Sequence, residues 1–402
     1  MDGTPADHEP PLRPAWEDTP DETDVSPVPA RGGLPGDTDP VSLLGPLADA
    51  TEALTRLDAG ATAAPEAVRD GLVARMALTE AAGWLAQAQA WVHPLDLALR
   101  ALSLTGPAAL VAVGAGRDAM PQTFADTVAT DWDAFPLDAM ADADRVLAEA
   151  LALARLLRRV AGARGKNLFA GAVAAAEALA PFGGGPLDPD RFEVWRTAHA
   201  VPAPPRRQFA RRGEGGLPHM PSLLVAAQAA QAWMEHGITE TAIAPAALLA
   251  AAGIAARSGV VRTVFLPVWA AWPAVGAGER DALPGLRSDA ADRLLARGMP
   301  VTWPIAFLHL VAEGARTGQR TLDRLLAAAG KGRDLTAPCD RRSRLPDAVD
   351  ALLRAPVLTP KALAARLRIA PQTGTALLRE LAAAGLVREV TGRGSFRAFA
   401  LA

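Results

Sequence analysis

From Val41 onward, apolar residues recur every three or four positions, the period of an amphipathic helix. Leu43, Leu44, Leu47, Leu54 and Leu57 predict one helix, and Pro65 to Val92 predicts a long second one. Ala141 to Val160 predicts a third, with Val146, Leu147, Leu151, Leu153, Leu156 and Leu157 on a broad apolar face. Arg155, Arg158 and Arg159 fall near its end, where cations suit the helix dipole. Leu168 to Leu179 predicts a short helix stopped by Pro181 and Gly183-Gly184-Gly185. Further helices are predicted over Ser222–His236, Pro245–Ser258, Ser288–Arg297 and Pro304–Ala328. Val201 to Pro221 is a Pro/Gly/Arg stretch, longer than most structureless connections, and reads as mobile or functional.

The pattern changes after Leu345. Leu345, Val349, Leu352 and Leu353 form one apolar stripe, and Pro356 ends that helix. Thr359 stands where an N-cap belongs, with Pro360 at the first helical position. Leu363, Ala364 and Leu367 carry the face of a second helix, and Arg368-Ile369-Ala370 is short enough for a tight turn. Pro371 opens a third, anchored by Leu377, Leu378 and Leu381 and closed by Gly385. Leu386–Val390 and Ser395–Ala400 then read as strands joined by Thr391-Gly392-Arg393-Gly394. Three helices and a hairpin in this order predict a winged helix-turn-helix on an otherwise mainly α chain.

With Gly374, Leu378 and Leu381 facing inward, Gln372, Thr375 and Arg379 face out, toward a major groove, with Thr373 near the phosphates. Gln and Arg make bidentate contacts to adenine and guanine edges. Arg393 at the hairpin tip suits phosphates or a narrow minor groove. Arg366, Arg368 and Arg397 complete the expected phosphate set. The expected partner is therefore double-stranded DNA, bound by a homodimer, since one small module gives little affinity or site length. The alternative is a protein-interaction adaptor that docks a protein on the same module.

Charge sharpens this picture. Ala329–Ala402 holds thirteen Lys and Arg against six Asp and Glu, a net of +7 in a chain of net −3. A basic module on an acidic protein is the footprint expected where one face approaches phosphates. Lys331, Arg333, Arg341, Arg342 and Arg344 fall in an expected basic linker, read either as a solvated hinge or as an arm adding phosphate contacts. Residues 1–40, with nine prolines and ten acidic residues against two arginines, read as a disordered tail. The expected division is thus tail 1–40, helical body 41–329, basic linker 330–344 and winged helix-turn-helix 345–402.

Half the residues are hydrophobic, much of that alanine, and there is no tyrosine, which points to a GC-rich coding bias. The single cysteine, Cys339, excludes an intrachain disulfide. The most apolar stretch, Thr241 to Val275, is broken by Pro245, Arg257, Arg262 and Pro267, so no membrane span is expected. The chain opens on no charged and apolar signal segment, and the bacterial cytoplasm is the expected compartment.

Catalytic and cofactor signals are weak. Gly114-Ala115-Gly116 follows an apolar run, as in a dinucleotide fingerprint, but no second β-rich run follows and Met120-Pro121 interrupts the helix it needs. None of His8, His93, His199, His219, His236 and His309 stands at metal-ligand spacing. His93 reads as a helix end and His309 as a core residue. Asp142 with Asp144 and Asp188 with Asp190 read as caps and turns. Trp84, Trp91, Trp195, Trp233, Trp269, Trp272 and Trp303 read as helix-packing residues. The expectation is a non-enzyme with no cofactor and no metal; any small-molecule effector is unspecified.

Lys331 to Ala402, above all RRSRLPDAVDALLRAP and VREVTGRGSFRAFAL, resembles the helix-turn-helix domain that ends a group of bacterial, often plasmid-borne proteins. In that group a helical domain of unknown function precedes the DNA-binding domain. LTEAAGWLAQAQAWVHPLDLALRAL, SLLVAAQAAQAW and ARSGVVRTVFLPVWAAW resemble helices of that preceding domain. The body, with Trp303-Pro-Ile-Ala-Phe-Leu308, is also distantly similar to Fic-type proteins, which transfer nucleotide groups to hydroxyls. Their HPFxxGNGR loop is absent: the one His-Pro, His93-Pro94, is followed by Leu-Asp. Their Ser/Thr-xxx-Glu inhibitory helix is absent too, where the chain reads Gly83-Trp84-Leu85-Ala86-Gln87. The resemblance implies a scaffold kept and an enzyme lost, with transcriptional regulation as the function.

Overall fold

The computed structural model describes residues 40–87, 92–102, 137–161, 169–180, 187–199, 220–240, 243–274, 303–340, 342–391 and 397–402. The tail, the glycine run at Gly114, the Val201–Pro221 stretch up to residue 219 and the Ser288–Arg297 helix lie outside these residues.

The body is helical: α1 Pro40–Ala63, α2 Glu66–Gln87, α3 Pro94–Ala101, α4 Leu137–Val160, α5 Ala172–Leu179, α6 Pro189–Ala198, α7 Ser222–Glu235, α8 Ile243–Ser258 and α9 Trp303–Thr336. A 3₁₀ turn, Trp269–Ala274, precedes the last. The C-terminal part adds α10 Leu345–Arg354, α11 Pro360–Leu367, α12 Pro371–Ala383, β1 Val387–Glu389 and β2 Phe399–Leu401. The fold is mainly α, with a winged helix-turn-helix at its end.

α2 lies at the centre, packed on α3, α4, α9, α10 and the 3₁₀ turn, while α1 lies along α9 and α7 pairs with α8. Apolar burial drives this assembly. Leu54, Leu57, Val68, Leu72, Leu85, Phe307 and Leu322 are shut from water, in one core that continues into Val349, Leu352, Leu363 and Leu378. Trp195, Trp233 and Trp303 are fully buried, and each indole N–H finds an acceptor, at Ala229 O (2.8 Å), Thr239 Oγ1 (3.2 Å) and Ala227 O (2.9 Å). Those three are packing residues, as expected.

Two buried carboxylates hold the irregular segment before the 3₁₀ turn. Asp58 of α1 accepts the N–H groups of Arg262, Thr263 and Val264 at 2.8–3.0 Å. Glu80 of α2 accepts those of Val268, Trp269 and Ala270 at 2.8–3.0 Å, although burial pushes its carboxyl up to about 7. Each carboxylate replaces a set of backbone acceptors that a loop lacks.

Several local expectations change. Leu44 is exposed, because the stripe of α1 turns inward through Leu43, Ala50 and Leu54 instead. His93 begins a helix: its Nδ1 accepts the Leu95 N–H at 3.1 Å and caps α3. His309 points outward from α9 between buried Leu308 and Leu310. Asp142 and Asp144 lie within α4, whereas Asp188 does cap α6, accepting from Asp190 and Arg191 at 3.0 Å. α9 runs on to Thr336, so Lys331 and Arg333 of the expected linker are helical. The helix survives Gly332 because α10 needs that glycine: a Cβ there would stand 2.5 Å from Val349 Cγ1.

Candidate nucleic-acid interface

The C-terminal helices form for the local reasons written in their caps. Thr359 Oγ1 accepts the Ala362 N–H at 3.1 Å, and Pro360 follows at the first helical position. Arg368 then closes α11 in the left-handed region, φ 54°, and the chain turns through Ile369 and Ala370 into α12. Gly385 ends the last helix at φ 66°, where a Cβ would be strained. Beyond it β1 and β2 pair antiparallel, with Arg388 opposite Ala400. The pairing is narrower than the predicted strands and gains a third member. Leu358, between α10 and α11, exchanges two 2.9 Å backbone hydrogen bonds with Phe399. That exchange ties the hairpin to the helices.

α12 packs on α11, β1 and α10 through Gly374, Leu378 and Leu381, all three buried as the spacing predicts. Its outer face carries exposed Gln372, Thr373 and Arg379. Thr375 is half-buried, and its hydroxyl donates to Pro371 O at 3.0 Å, so its reach is shorter than expected. Arg366 and Arg368, on α11 and in the turn, are exposed. Neither they nor Arg379 makes an ion pair with any described residue. Arg397 is different: its Nε lies 3.6 Å from Glu389 Oε2, and it is half-buried beside β1. Arg393 lies outside the described residues, as does Arg341.

The electrostatics of α12 add to this face. Ala370 offers no side-chain cap, which leaves the Gln372 and Thr373 N–H groups outside the helical ladder at the positive end of the helix dipole. Oriented N–H groups beside free guanidinium groups favour anions. Arg366, Arg368, Gln372, Thr373 and Arg379 thus share two adjoining helices and the turn between them.

Sequence reasoning missed how this unit is held. Arg75 of α2 reaches the end of α10 and donates to Leu353 O (2.8 Å), Ala355 O (2.8 Å) and Leu352 O (3.2 Å), besides Gly71 O in its own helix (3.1 Å). Arg354 pairs back to Glu66 at 3.1 Å and to Asp70. Lys331 of α9 donates to Gly385 O at 2.8 Å. The signal available was an arginine, Arg75, set among the apolar residues Leu72, Val73, Met76 and Leu78.

Residues 345–401 match the family described as HTH DNA binding domain. No curated protein matches the chain. The C-terminal unit is therefore a helix-turn-helix DNA-binding domain, and among the described residues no helix is long and apolar enough to cross a membrane.

Proposed function

We propose that this protein is a transcriptional regulator of the bacterial cytoplasm that binds double-stranded DNA as a homodimer and performs no catalysis. The observation that carries it is the outer face of α12. Gln372, Thr373 and Arg379 stand exposed opposite buried Gly374, Leu378 and Leu381, inside a segment that matches a DNA-binding domain. Gln372 and Arg379 read base edges in the major groove, while Arg366, Arg368 and Thr373 hold phosphates. Arg397 extends the phosphate contacts beside β1 and must leave Glu389 to do so. Arg393, which follows β1 in the sequence, is assigned to phosphates by its charge alone.

The test is selection of bound duplexes from a random pool by the full chain, followed by titration of the selected and a scrambled duplex. The proposal expects a recovered palindromic or repeated motif and preferential binding to it. Recovery of no enriched motif, with equal affinity for all duplexes, would remove the regulator reading.

A further inference from the structure

The DNA-binding domain is not hung on a tether. α10, its first helix, is pressed against α2 of the body so closely that a Cβ on Gly71 would stand 1.9 Å from Leu353 O. At this contact the end of α10 presents carbonyls that no helical N–H can satisfy. Three of them, on Leu352, Leu353 and Ala355, are taken by one guanidinium, that of Arg75. The pairing is favourable for two reasons. The planar fork of arginine serves several acceptors at once, and the negative end of a helix dipole favours a cation.

Burial lowers Arg75 to about 10, which leaves it protonated at neutral pH. Its charge is therefore satisfied by α10 and by Gly71 O. If α10 swung away, a buried cation would lose most of its acceptors, which is costly. On the rim of the same contact, Arg354 of α10 answers with ion pairs to Glu66 and Asp70 of α2. The donors and acceptors alternate across the joint, so the register of α10 on α2 is specified and not merely sticky.

We infer that Arg75 is a positioning residue for DNA reading: by closing the end of α10 it fixes the angle at which the body presents α12, so that the body dictates which spacing of half-sites is read. This inference rests on the proposed function. It also implies that a change in α2 reaches the DNA-reading helix without passing through a linker. α2 carries Glu80, the residue that holds Val268, Trp269 and Ala270, one turn beyond Arg75.

The test uses the full chain with Cys339→Ser and spin labels at Arg56→Cys on α1 and Ala383→Cys at the end of α12, both exposed positions. Arg75→Met is expected to broaden the label-to-label distance distribution. It is also expected to cut the preference for the selected duplex over a scrambled one by about tenfold, the usual size of a coupling between sites. Arg75→Lys, which keeps the charge and loses the fork, is expected to recover part of both. Gly71→Ala should mimic Arg75→Met through steric displacement alone. An unchanged distance distribution in Arg75→Met, or unchanged selectivity alongside a broadened one, overturns the inference. Should Arg75→Met fail to fold, Arg75→Lys carries both measurements, with a wild-type result overturning the role. Absence of wild-type binding to any duplex would instead overturn the DNA-reading proposal, a failure distinct from that of the Arg75 positioning role.

Discussion

A Cβ on residue 374 would stand 2.7 Å from the carbonyl oxygen of Pro360, so glycine is what lets α12 cross α11 at this separation. The same Cβ would meet Ala364 Cβ at 3.4 Å. Backbone cannot yield as a flexible side chain does. Gly374→Ala is expected to push the two helices apart at a cost of about 1–3 kcal/mol, the range for overpacking. A thermal melt reads this directly, and the variant should also bind duplex DNA less tightly. A melting temperature equal to that of the wild type would show that the crossing is not as close as the structure has it.

Arg379 is exposed on the outer face of α12, one position beyond buried Leu378. Arg379→Ala should relax preference at one base position and cost about 1–3 kcal/mol on the selected duplex, with little change on a scrambled one. Equal losses on both duplexes would reassign Arg379 to the phosphates.

Arg366 and Arg368 are exposed and free of ion pairs with the described residues. Arg366→Ala should weaken binding to every sequence alike and reduce the slope of log affinity against log salt by about one. A slope identical to the wild-type value would exclude a phosphate contact there.

Asp96 gives a pH prediction independent of DNA. It is buried in the first turn of α3, its Oδ1 has no hydrogen-bond partner among the described residues, and burial pushes its carboxyl from 3.8 up to about 6. Between those values the native protein holds a proton that the unfolded chain has released. Stability therefore falls as pH rises through this window and stays lower above it. Asp96→Asn removes the ionisation and keeps the shape. It should be more stable than wild type by about 2 kcal/mol at pH 8 and nearly equal to it at pH 3.5. Glu80, raised to about 7, titrates in both proteins, so the difference between them isolates Asp96. Parallel denaturation curves at both pH values would refute the assignment.

Local signals made the C-terminal unit legible. Thr359-Pro360, Gly385 and the stripe Gly374, Leu378 and Leu381 each act within a few residues of themselves, and the structure places each as its spacing requires. Elements governed by distant partners were not legible. His93, read as a helix end, instead caps the helix that Pro94 opens, whereas Asp188 caps as its spacing suggested. The helix predicted to stop at Ala328 continues to Thr336 through Gly330 and Gly332, one glycine in open space and the other against Val349. Asp58, Arg75 and Glu80 lie on largely apolar faces, and their backbone partners are far away in sequence. No periodicity encodes such pairs. At the interface, Gln372, Thr373 and Arg379 emerged on the outer face because helical period alone decides it. The ion pair of Arg397 with Glu389 depends on a hairpin register that the sequence does not print.

The most direct test of the account is a titration of the full chain with a selected duplex at two salt concentrations, beside the variant in which Gln372→Ala and Arg379→Ala are combined. The account predicts wild-type affinity that falls steeply with salt, a preference for the selected duplex, and loss of that preference in the double variant while salt-dependent binding remains. Salt-independent binding, or a double variant as selective as the wild type, would contradict it.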